Sequence, residues 1–293
     1  MRIFLTGGTG FIGSHFLQHA LANGHDVFAL RRPGSATRIP LLRQPHWLDG
    51  ALTDDWGDIL SDCDSFLHLA SSGVVLNSNN WIECFQINVM DSLQLLQQSI
   101  SAGLKRFVIV GSCFEYGHSG ERYAAIPVSA PLEPTTAYGA SKAAATMAAL
   151  ALASEYQLNM VVVRPFHVYG DGEASQRFWP TLVSAAMSGN DLRMTSGSQV
   201  RDFQPVTDVV QQLLSWLQNS QLKPGKPVLV NLGTGRPQSL LDFARQEWER
   251  LGAKGEILPG ALEHRHDEVW RYVPMVGTSI HVPFSPANCN DYT

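Results

Sequence analysis

The sequence has no excess of basic residues, few cysteines and no long hydrophobic run, and each absence excludes a class of protein. It has 21 Lys and Arg against 26 Asp and Glu, a net charge of −5, so nothing favours nucleic acid or an anionic membrane as a partner. The four cysteines form no Cys-x-x-Cys pair and no zinc spacing, which predicts reduced thiols and no metal site. No apolar segment is long enough to span a membrane. A predicted strand from residue 2 leaves no room for a signal peptide, which predicts a cytoplasmic protein.

A glycine-rich turn lies near the start of the chain, between a predicted strand at 2–5 and a predicted helix at 14–23. Glycines in this position let the backbone approach a pyrophosphate, which then rests on the helix N-terminus. Many strand-to-helix turns carry glycines for tight packing alone, but the flanking strand and helix here favour dinucleotide binding. The candidate cofactor residues of this turn are Gly7, Gly10, Phe11, Ile12 and Gly13.

Tyr138 and Lys142 lie four residues apart in an alanine-rich segment that predicts a helix over 138–156. Positions i and i+4 share one face of a helix, so the lysine ammonium would lie near the phenol and favour its ionised form. A free tyrosine has a pKa of ~10, too high for proton transfer at neutral pH without such help. The pair predicts proton exchange at an oxygen whose carbon exchanges a hydride with a nicotinamide.

The alternation of strands and helices predicts an α/β fold, a Rossmann-type doubly wound parallel sheet. Residues 1–165 and 202–235 are expected to form the dinucleotide-binding domain. Residues 166–201 and 236–293 are expected to form a smaller, mixed substrate-binding region, whose tail reads as loop. The predicted elements after the glycine turn are strands at 25–30, 46–48, 65–70, 106–110, 160–164 and 228–232, and helices at 81–102, 138–156 and 239–251.

The end of the second predicted strand bears on the choice of cofactor. In NAD-binding proteins of this type an acidic residue about 20 positions beyond the glycines contacts the ribose hydroxyls. Arg31 and Arg32 stand there instead, and arginine suits a 2′-phosphate. We therefore expect NADP(H), with NAD(H) as the alternative if the two arginines merely form a solvated turn.

Several motifs follow one another in a fixed order, and together they resemble the extended short-chain dehydrogenase/reductase family of nucleotide-sugar epimerases, dehydratases and ketoreductases. The resemblance runs from residue 2 to about 271. It rests on the glycine turn, His68 to Ala70, Asn88, the segment 111–117, Tyr138 with Lys142, the segment 164–170, the segment 201–203 and Arg265.

The resemblance implies roles for individual residues. Ser112 would be the third catalytic residue, bonding the reacting oxygen beside Tyr138, although a serine at this point could simply cap a strand end. Cofactor contacts are implied for Leu52, Leu69, Ala70, Asn88, Pro165, Phe166 and His167, and for Tyr138 and Lys142 themselves. Substrate contacts are implied for Ser71, Ser112, Phe114, His167, Arg201 and Arg265.

Some of these roles have plain alternatives. Arg201 and Arg265 would hold the diphosphate of a nucleotide sugar, or else form surface salt bridges with Asp202 and Asp267. His167 stands where many relatives have asparagine, and a core histidine at a strand end is an equal alternative. The family also implies a homodimer formed through the helices at 81–102 and 138–156.

The residues after Ser112 separate the reactions of the family. Dehydratases carry an Asp-Glu pair where this chain has Cys113 and Phe114, and the cysteine of 3,5-epimerising reductases would fall on Phe114. A 4-ketoreductase and a 4-epimerase remain, and Arg31 with Arg32 favours NADPH-dependent reduction of a nucleotide-linked 4-keto-6-deoxyhexose. An NAD-dependent 4-epimerase, a reductase of a non-nucleotide ketone and a redox-sensing binding module stay as alternatives.

Overall fold

The computed structural model describes residues 1–74, 80–264 and 268–281. Within these residues most of the strands build one eight-stranded sheet. The strands are β1 (Arg2–Thr6), β2 (Asp26–Arg31), β3 (His46–Asp49), β4 (Ser65–His68), β5 (Arg106–Val110), β6 (Asn159–Pro165), β7 (His167–Tyr169), β8 (Leu192–Met194), β9 (Val200–Arg201), β10 (Phe203–Pro205), β11 (Val228–Leu232), β12 (Gln238–Ser239), β13 (Ile257–Pro259), β14 (Arg271–Tyr272) and β15 (Ser279–His281).

The main sheet has the strand order β3-β2-β1-β4-β5-β6-β11-β15. Neighbouring strands run parallel, except β15, which is antiparallel to β11. The chain reverses its direction of growth between β1 and β4, and ligands of open α/β sheets bind at such a switch point. The predicted Rossmann-type fold is confirmed.

Helices cover both faces of the sheet. One face packs against α1 and α7 through side chains such as Phe16 and Leu213, and the other against α4 and α5 through side chains such as Leu95 and Leu150. The helices are α1 (Phe11–Ala22), α2 (Gly57–Ser61), α3 (Trp81–Phe85), α4 (Ser92–Ser101), α5 (Ala137–Glu155), α6 (Phe178–Ser188), α7 (Val206–Gln218) and α8 (Leu240–Arg250).

The segment predicted as one long helix at 81–102 contains a change of helix type. A π-helical turn, Gln86–Asp91, separates α3 from α4. Such turns are rare and occur frequently at functional sites; here the turn carries the buried Asn88. Two short 3₁₀ helices, Cys113–Glu115 and His118–Arg122, follow β5.

Two of the longer helices and one strand of the main sheet were not among the elements predicted from the sequence. The loosely patterned segment 170–197 contains α6, whose Pro180 lies in the first turn, where a missing N–H costs nothing. The helix α7 begins with the β-branched residues Val206 and Thr207, which favour strands locally. The strand β15 belongs to the main sheet, although this part of the chain reads as loop and was assigned to the substrate-binding region.

Candidate active site

The glycine turn is packed too closely for a side chain at two of its glycines. Gly7 has φ +73°, and a Cβ on it would lie 2.6 Å from the main chain at Leu69 and Ala70. A Cβ on Gly13 would collide with the carbonyl oxygen of Gly7. Gly10 caps α1 without any side-chain acceptor, so the first-turn N–H groups remain available for an anion. The turn therefore fits a pyrophosphate.

The end of β4 is held against this turn by a buried polar cluster. The Thr6 hydroxyl accepts the N–H groups of Leu69 and Ala70, both at 3.2 Å, and lies 2.8 Å from Nδ1 of His68. Nε2 of His68 lies 2.9 Å from the hydroxyl of Ser92. Burial lowers the pKa of His68 to about 3, so this imidazole is neutral and its part is to fix the main chain.

Asn88 joins the segment after β4 to α5. Its Oδ1 accepts the N–H of Ser72 at 2.7 Å, and its Nδ2 donates to the Ser72 carbonyl at 3.0 Å and to the Ser141 hydroxyl at 2.9 Å. The neighbouring Ser71 is half-buried. These contacts shape the wall of the site, while the predicted cofactor contact of Asn88 and substrate contact of Ser71 stay predictions.

Ser112 and Tyr138 come together at the carboxyl edge of the sheet. Ser112 directly follows β5, and its hydroxyl accepts the N–H of Phe114 at 3.2 Å and lies near enough to Tyr138 to lower the pKa of the phenol. Thr136 caps α5 by accepting the N–H of Gly139 at 3.1 Å, which places Tyr138 in the first turn. Ser112 therefore caps the 3₁₀ helix Cys113–Glu115 and also lies beside Tyr138.

Lys142 lies one turn beyond Tyr138, but the pKa of the phenol is raised, whereas the sequence predicted that it would be lowered. Its ammonium is buried and donates to the Val110 carbonyl at 2.5 Å. Burial raises the pKa of Tyr138 to about 12 and outweighs the opposing hydrogen bond from Ser112. Burial also lowers the pKa of Lys142 to about 8. In this state Tyr138 is a protonated phenol, suited to donating a proton.

Aromatic rings line the space beside Tyr138. The ring of Phe114 lies 6.2 Å from those of Tyr138 and His167 and 5.7 Å from that of Tyr272. His167 also lies 6.2 Å from Phe203. The substrate contacts predicted for Phe114 and His167 stay predictions; the ring of Phe114 lies next to those of both Tyr138 and His167.

The neighbours of this wall are core residues. Cys113 and Phe166 are buried in one apolar cluster, so the ring of Phe166, predicted to contact cofactor, belongs to the core. Burial raises the pKa of Cys113 to about 12, which leaves a neutral thiol at neutral pH. Pro165, also a predicted cofactor residue, ends β6.

Arg201 is buried and already paired. Its guanidinium bonds Glu268 and the Val269 carbonyl at 2.5 and 2.7 Å and lies 5.5 Å from the Tyr272 ring. The alternative partner, Asp202, instead accepts main-chain N–H groups of residues 234–236. A diphosphate at Arg201 would therefore have to compete with a carboxylate. Arg265, the other predicted diphosphate residue, lies outside the described residues.

The arginines at the end of β2 differ in their surroundings. Arg31 forms a two-point contact with Asp49 of β3, at 2.8 and 3.3 Å, and lies 4.6 Å above the Trp47 ring. This pairing lowers the pKa of Asp49, and a 2′-phosphate at Arg31 would have to compete with the Asp49 carboxylate. Arg32 is exposed and stays the candidate for a 2′-phosphate. Leu52, another predicted cofactor residue, lies three residues beyond the end of β3 and is half-buried.

A buried ion pair behind Ser112 was not singled out from the sequence. Glu115 and Arg164 meet at 2.7 Å with side chains that are 0% and 2% exposed. The available signal was one carboxylate in the segment 111–117 and one guanidinium in the segment 164–170, both next to buried strands. Charged residues are almost never fully buried unless paired, so each predicted a partner, but not which one.

Within 1–74, 80–264 and 268–281, no group of His, Cys, Asp or Glu has the arrangement of a metal site. None of the helices described combines the length and apolar character that crossing a membrane requires.

Residues 3–233 match the NAD dependent epimerase/dehydratase family. A trifunctional UDP-glucose 4,6-dehydratase/UDP-4-keto-6-deoxy-D-glucose 3,5-epimerase/UDP-4-keto-L-rhamnose-reductase of Arabidopsis thaliana is 28% identical over 288 residues, covering 92% of this chain and 42% of that protein. The chain therefore spans less than half of this relative. The UDP-glucose 4-epimerase of Corynebacterium glutamicum is 26% identical over 255 residues, covering 80% of this chain and 76% of that enzyme.

A solved structure has the same fold. MoeE5 in complex with UDP-glucuronic acid and NAD is 27% identical, with a TM-score of 0.80, and the match covers 94% of this chain and 90% of that one.

Proposed function

The chain belongs to the NAD dependent epimerase/dehydratase family, and from this membership we propose that it reduces the C4 keto group of a nucleotide-linked 4-keto-6-deoxyhexose with NADPH. Enzymes of the family act on nucleotide sugars with nicotinamide cofactors. The observation that carries the proposal is the contact of Ser112 with a protonated Tyr138, next to a Cys113 that cannot act as an acid/base.

The proposed mechanism needs one proton and one hydride. The glycine turn would hold the dinucleotide, which would supply the hydride for C4. Tyr138 gives its phenolic proton to the keto oxygen, so that the C=O becomes CH–OH. The Ser112 hydroxyl donates a hydrogen bond to the same oxygen and stabilises the charge that develops on it. Lys142, buried on the same helix, provides the positive charge that stabilises the phenolate left behind.

Dehydration does not fit the residues beside Ser112. Removing water across C5 and C6 requires a base and an acid, which dehydratases of the resembling family place at the positions of Cys113 and Phe114. The thiol of Cys113 is buried in an apolar cluster with its pKa raised to about 12, and Phe114 has no ionisable group. Proton handling here rests on Ser112 and Tyr138, which suffices for redox chemistry at a single carbon.

A 4-epimerase with bound NAD is the second candidate, and the pairing of Arg31 with Asp49 favours it. Because Arg31 is already paired with Asp49, Arg32 is the one of these two arginines that we propose for the 2′-phosphate of NADPH, and a single arginine is weaker support for NADPH than two. The UDP-glucose 4-epimerase relative and the NAD complex of MoeE5 also point in this direction. Both candidates use Ser112, Tyr138 and Lys142, so the cofactor distinguishes them.

The test is to follow NADPH absorbance while TDP-, CDP- and GDP-linked 4-keto-6-deoxyhexoses are offered in turn, with NADH in parallel reactions. Oxidation of NADPH with one of these sugars is the expected result. No oxidation with any of them, together with interconversion of UDP-sugars by the protein with NAD, would replace the reductase by the epimerase.

Arg32→Ala is expected to weaken NADPH binding by roughly tenfold and to leave NADH binding unchanged, because hydrogen bonds to a charged group contribute about 1.5–3 kcal/mol. Fluorescence titration with each dinucleotide measures both affinities. Lys226→Ala, at an exposed position near the opposite edge of the sheet, is the control. Equal losses for NADPH and NADH in Arg32→Ala would show that Arg32 does not recognise the 2′-phosphate.

We also propose a homodimer, formed through α3, the π-helical turn and α5. These elements expose apolar side chains that a second copy would cover, namely Trp81, Ile82, Phe85, Met90 and Met147. Ile82→Glu is expected to convert the dimer to a monomer, since it places a charge in the apolar contact. Met187→Glu, an equally exposed change on α6, should leave the dimer intact. Sedimentation velocity distinguishes the outcomes, and a wild-type monomer would overturn this proposal.

A further inference from the structure

One buried carboxylate contacts every element that delivers a residue of the catalytic set. Oε1 of Glu115 accepts the main-chain N–H of Ser112 at 2.8 Å and the hydroxyl of Thr146 at 3.1 Å. Oε2 accepts from Nε of Arg164 at 2.7 Å. Ser112 follows β5, Thr146 lies on α5 four residues beyond Lys142, and Arg164 lies in β6. The carboxylate thus sets the position of Ser112 relative to the helix that carries Tyr138.

The network is itself held from the far side. Nη1 of Arg164 donates to the Tyr116 hydroxyl at 3.0 Å. That hydroxyl donates to Oδ1 of Asn231 on β11 at 2.6 Å, and Nδ2 of Asn231 donates to the Ile126 carbonyl at 2.9 Å. The guanidinium also lies 4.7 Å above the Tyr116 ring. Arg164 therefore has a fixed place, from which it holds the carboxylate.

Stability alone is a weak reason for this arrangement. A buried ion pair usually repays only part of its desolvation cost, and apolar residues of equal volume often stabilise a core as well or better. The carboxylate is also pressed against the main chain, because a Cβ on Gly111 would contact its Oε1. Apolar residues could not accept the hydrogen bonds that Glu115 accepts from the Ser112 N–H and the Thr146 hydroxyl.

We infer that Glu115 is a positioning residue, which keeps the Ser112 hydroxyl beside the Tyr138 phenol. It does so by joining the Ser112 main chain to Thr146, on the helix that carries Tyr138, and to Arg164 on β6. The inference rests on the proposed function, because the position of Ser112 matters only if Ser112 and Tyr138 act on one oxygen. Glu115 touches neither substrate nor cofactor in this role. Its effect is on the geometry in which the proton is transferred, and small errors in that geometry have large effects on rate.

Thr146→Val tests the inference with little change in shape. It removes the bond between α5 and the carboxylate but keeps the Glu115–Arg164 pair. We expect kcat to fall by about tenfold with KM unchanged, and Glu115→Gln to lower kcat on the order of 100-fold, since misplaced groups lose that much. Ser99→Ala is the matched control, because it also removes a fully buried helix hydroxyl, bonded at 2.8 Å to the Leu95 carbonyl.

The outcomes separate the inference from the proposed function. If the wild-type protein reduces one of the 4-keto-6-deoxyhexoses and Thr146→Val has the same kcat as Ser99→Ala, the inference about Glu115 is wrong and the proposed reductase activity is unaffected. If the wild-type protein reduces none of these sugars, the proposed function is wrong, and hydrogen–deuterium exchange of segment 111–117 then tests the positioning role of Glu115 separately. Faster exchange in Thr146→Val than in Ser99→Ala supports positioning by Glu115, and equal exchange overturns it.

Discussion

Tyr138→Phe is expected to lower kcat by about 10²- to 10⁴-fold, the range typical for loss of a general acid. The change removes the only atom of Tyr138 that can give a proton to the keto oxygen and keeps the ring that contacts Phe114. Affinity for the dinucleotide should fall far less than kcat, since the glycine turn is untouched. Steady-state kinetics with NADPH and a fluorescence titration measure the two quantities.

Tyr156→Phe is the matched control for this experiment. Tyr156 follows the last turn of α5, at the opposite end of the helix from Tyr138, and it is exposed. Its variant should have wild-type kcat. A Tyr138→Phe enzyme that kept a large part of the wild-type kcat would remove the phenol from the mechanism and leave Ser112 as the sole proton-handling group.

Arg164→Met is expected to lower the free energy of unfolding by about 3–5 kcal/mol, because it leaves the Glu115 carboxylate buried without its cation. Urea denaturation measures the change through its midpoint and slope. Adding Glu115→Gln to Arg164→Met should recover a large part of the loss, since no unpaired charge then remains inside the protein. A double variant less stable than Arg164→Met would show that the bonds of Glu115, rather than its charge, dominate.

Arg122→Met provides the comparison for a solvated pair. Arg122 and Glu133 also form an ion pair, but their side chains are 54% and 40% exposed. Water and salt screen such a pair, so its loss should have little effect on stability. If Arg122→Met destabilised the protein as much as Arg164→Met, burial would not be the cause of the larger effect.

Local patterns explain why the sheet, and the placement of Tyr138 and Lys142 on one helix, could be predicted. Buried strands such as Arg106–Val110 are short runs of apolar, mostly β-branched residues, and helices such as Ala137–Glu155 have a capping residue and high helix propensity. Tyr138 and Lys142 share a helix, so their spacing alone places them together. Ser112 required the resemblance, because its distance from Tyr138 along the chain says nothing about their contact.

Contacts between distant segments explain what was missed. Arg31 is paired by Asp49 from a neighbouring strand, and Arg201 by Glu268, 67 residues away. Neither pairing follows from the residues beside each arginine. The pKa of Tyr138 was misjudged for the same reason, since the i, i+4 rule counts the ammonium of Lys142 but not the desolvation that the rest of the fold imposes.

The hydrogen bonds around His68 can run in only one direction. Ser92 gives its single hydroxyl proton to a main-chain carbonyl of the π-helical turn, so it can only accept from Nε2 of His68. The neutral ring then has a bare Nδ1, which must receive the proton of Thr6, while Thr6 accepts the N–H groups of 69–70. A second proton on the ring would make Nδ1 a donor, and it would then face the Thr6 hydroxyl proton, which is also a donor. The backbone beside the glycine turn is therefore held in place by an imidazole whose two nitrogens are both used in hydrogen bonds, one as donor and one as acceptor. Acid strong enough to protonate Nδ1 would break its bond with Thr6 and loosen that backbone.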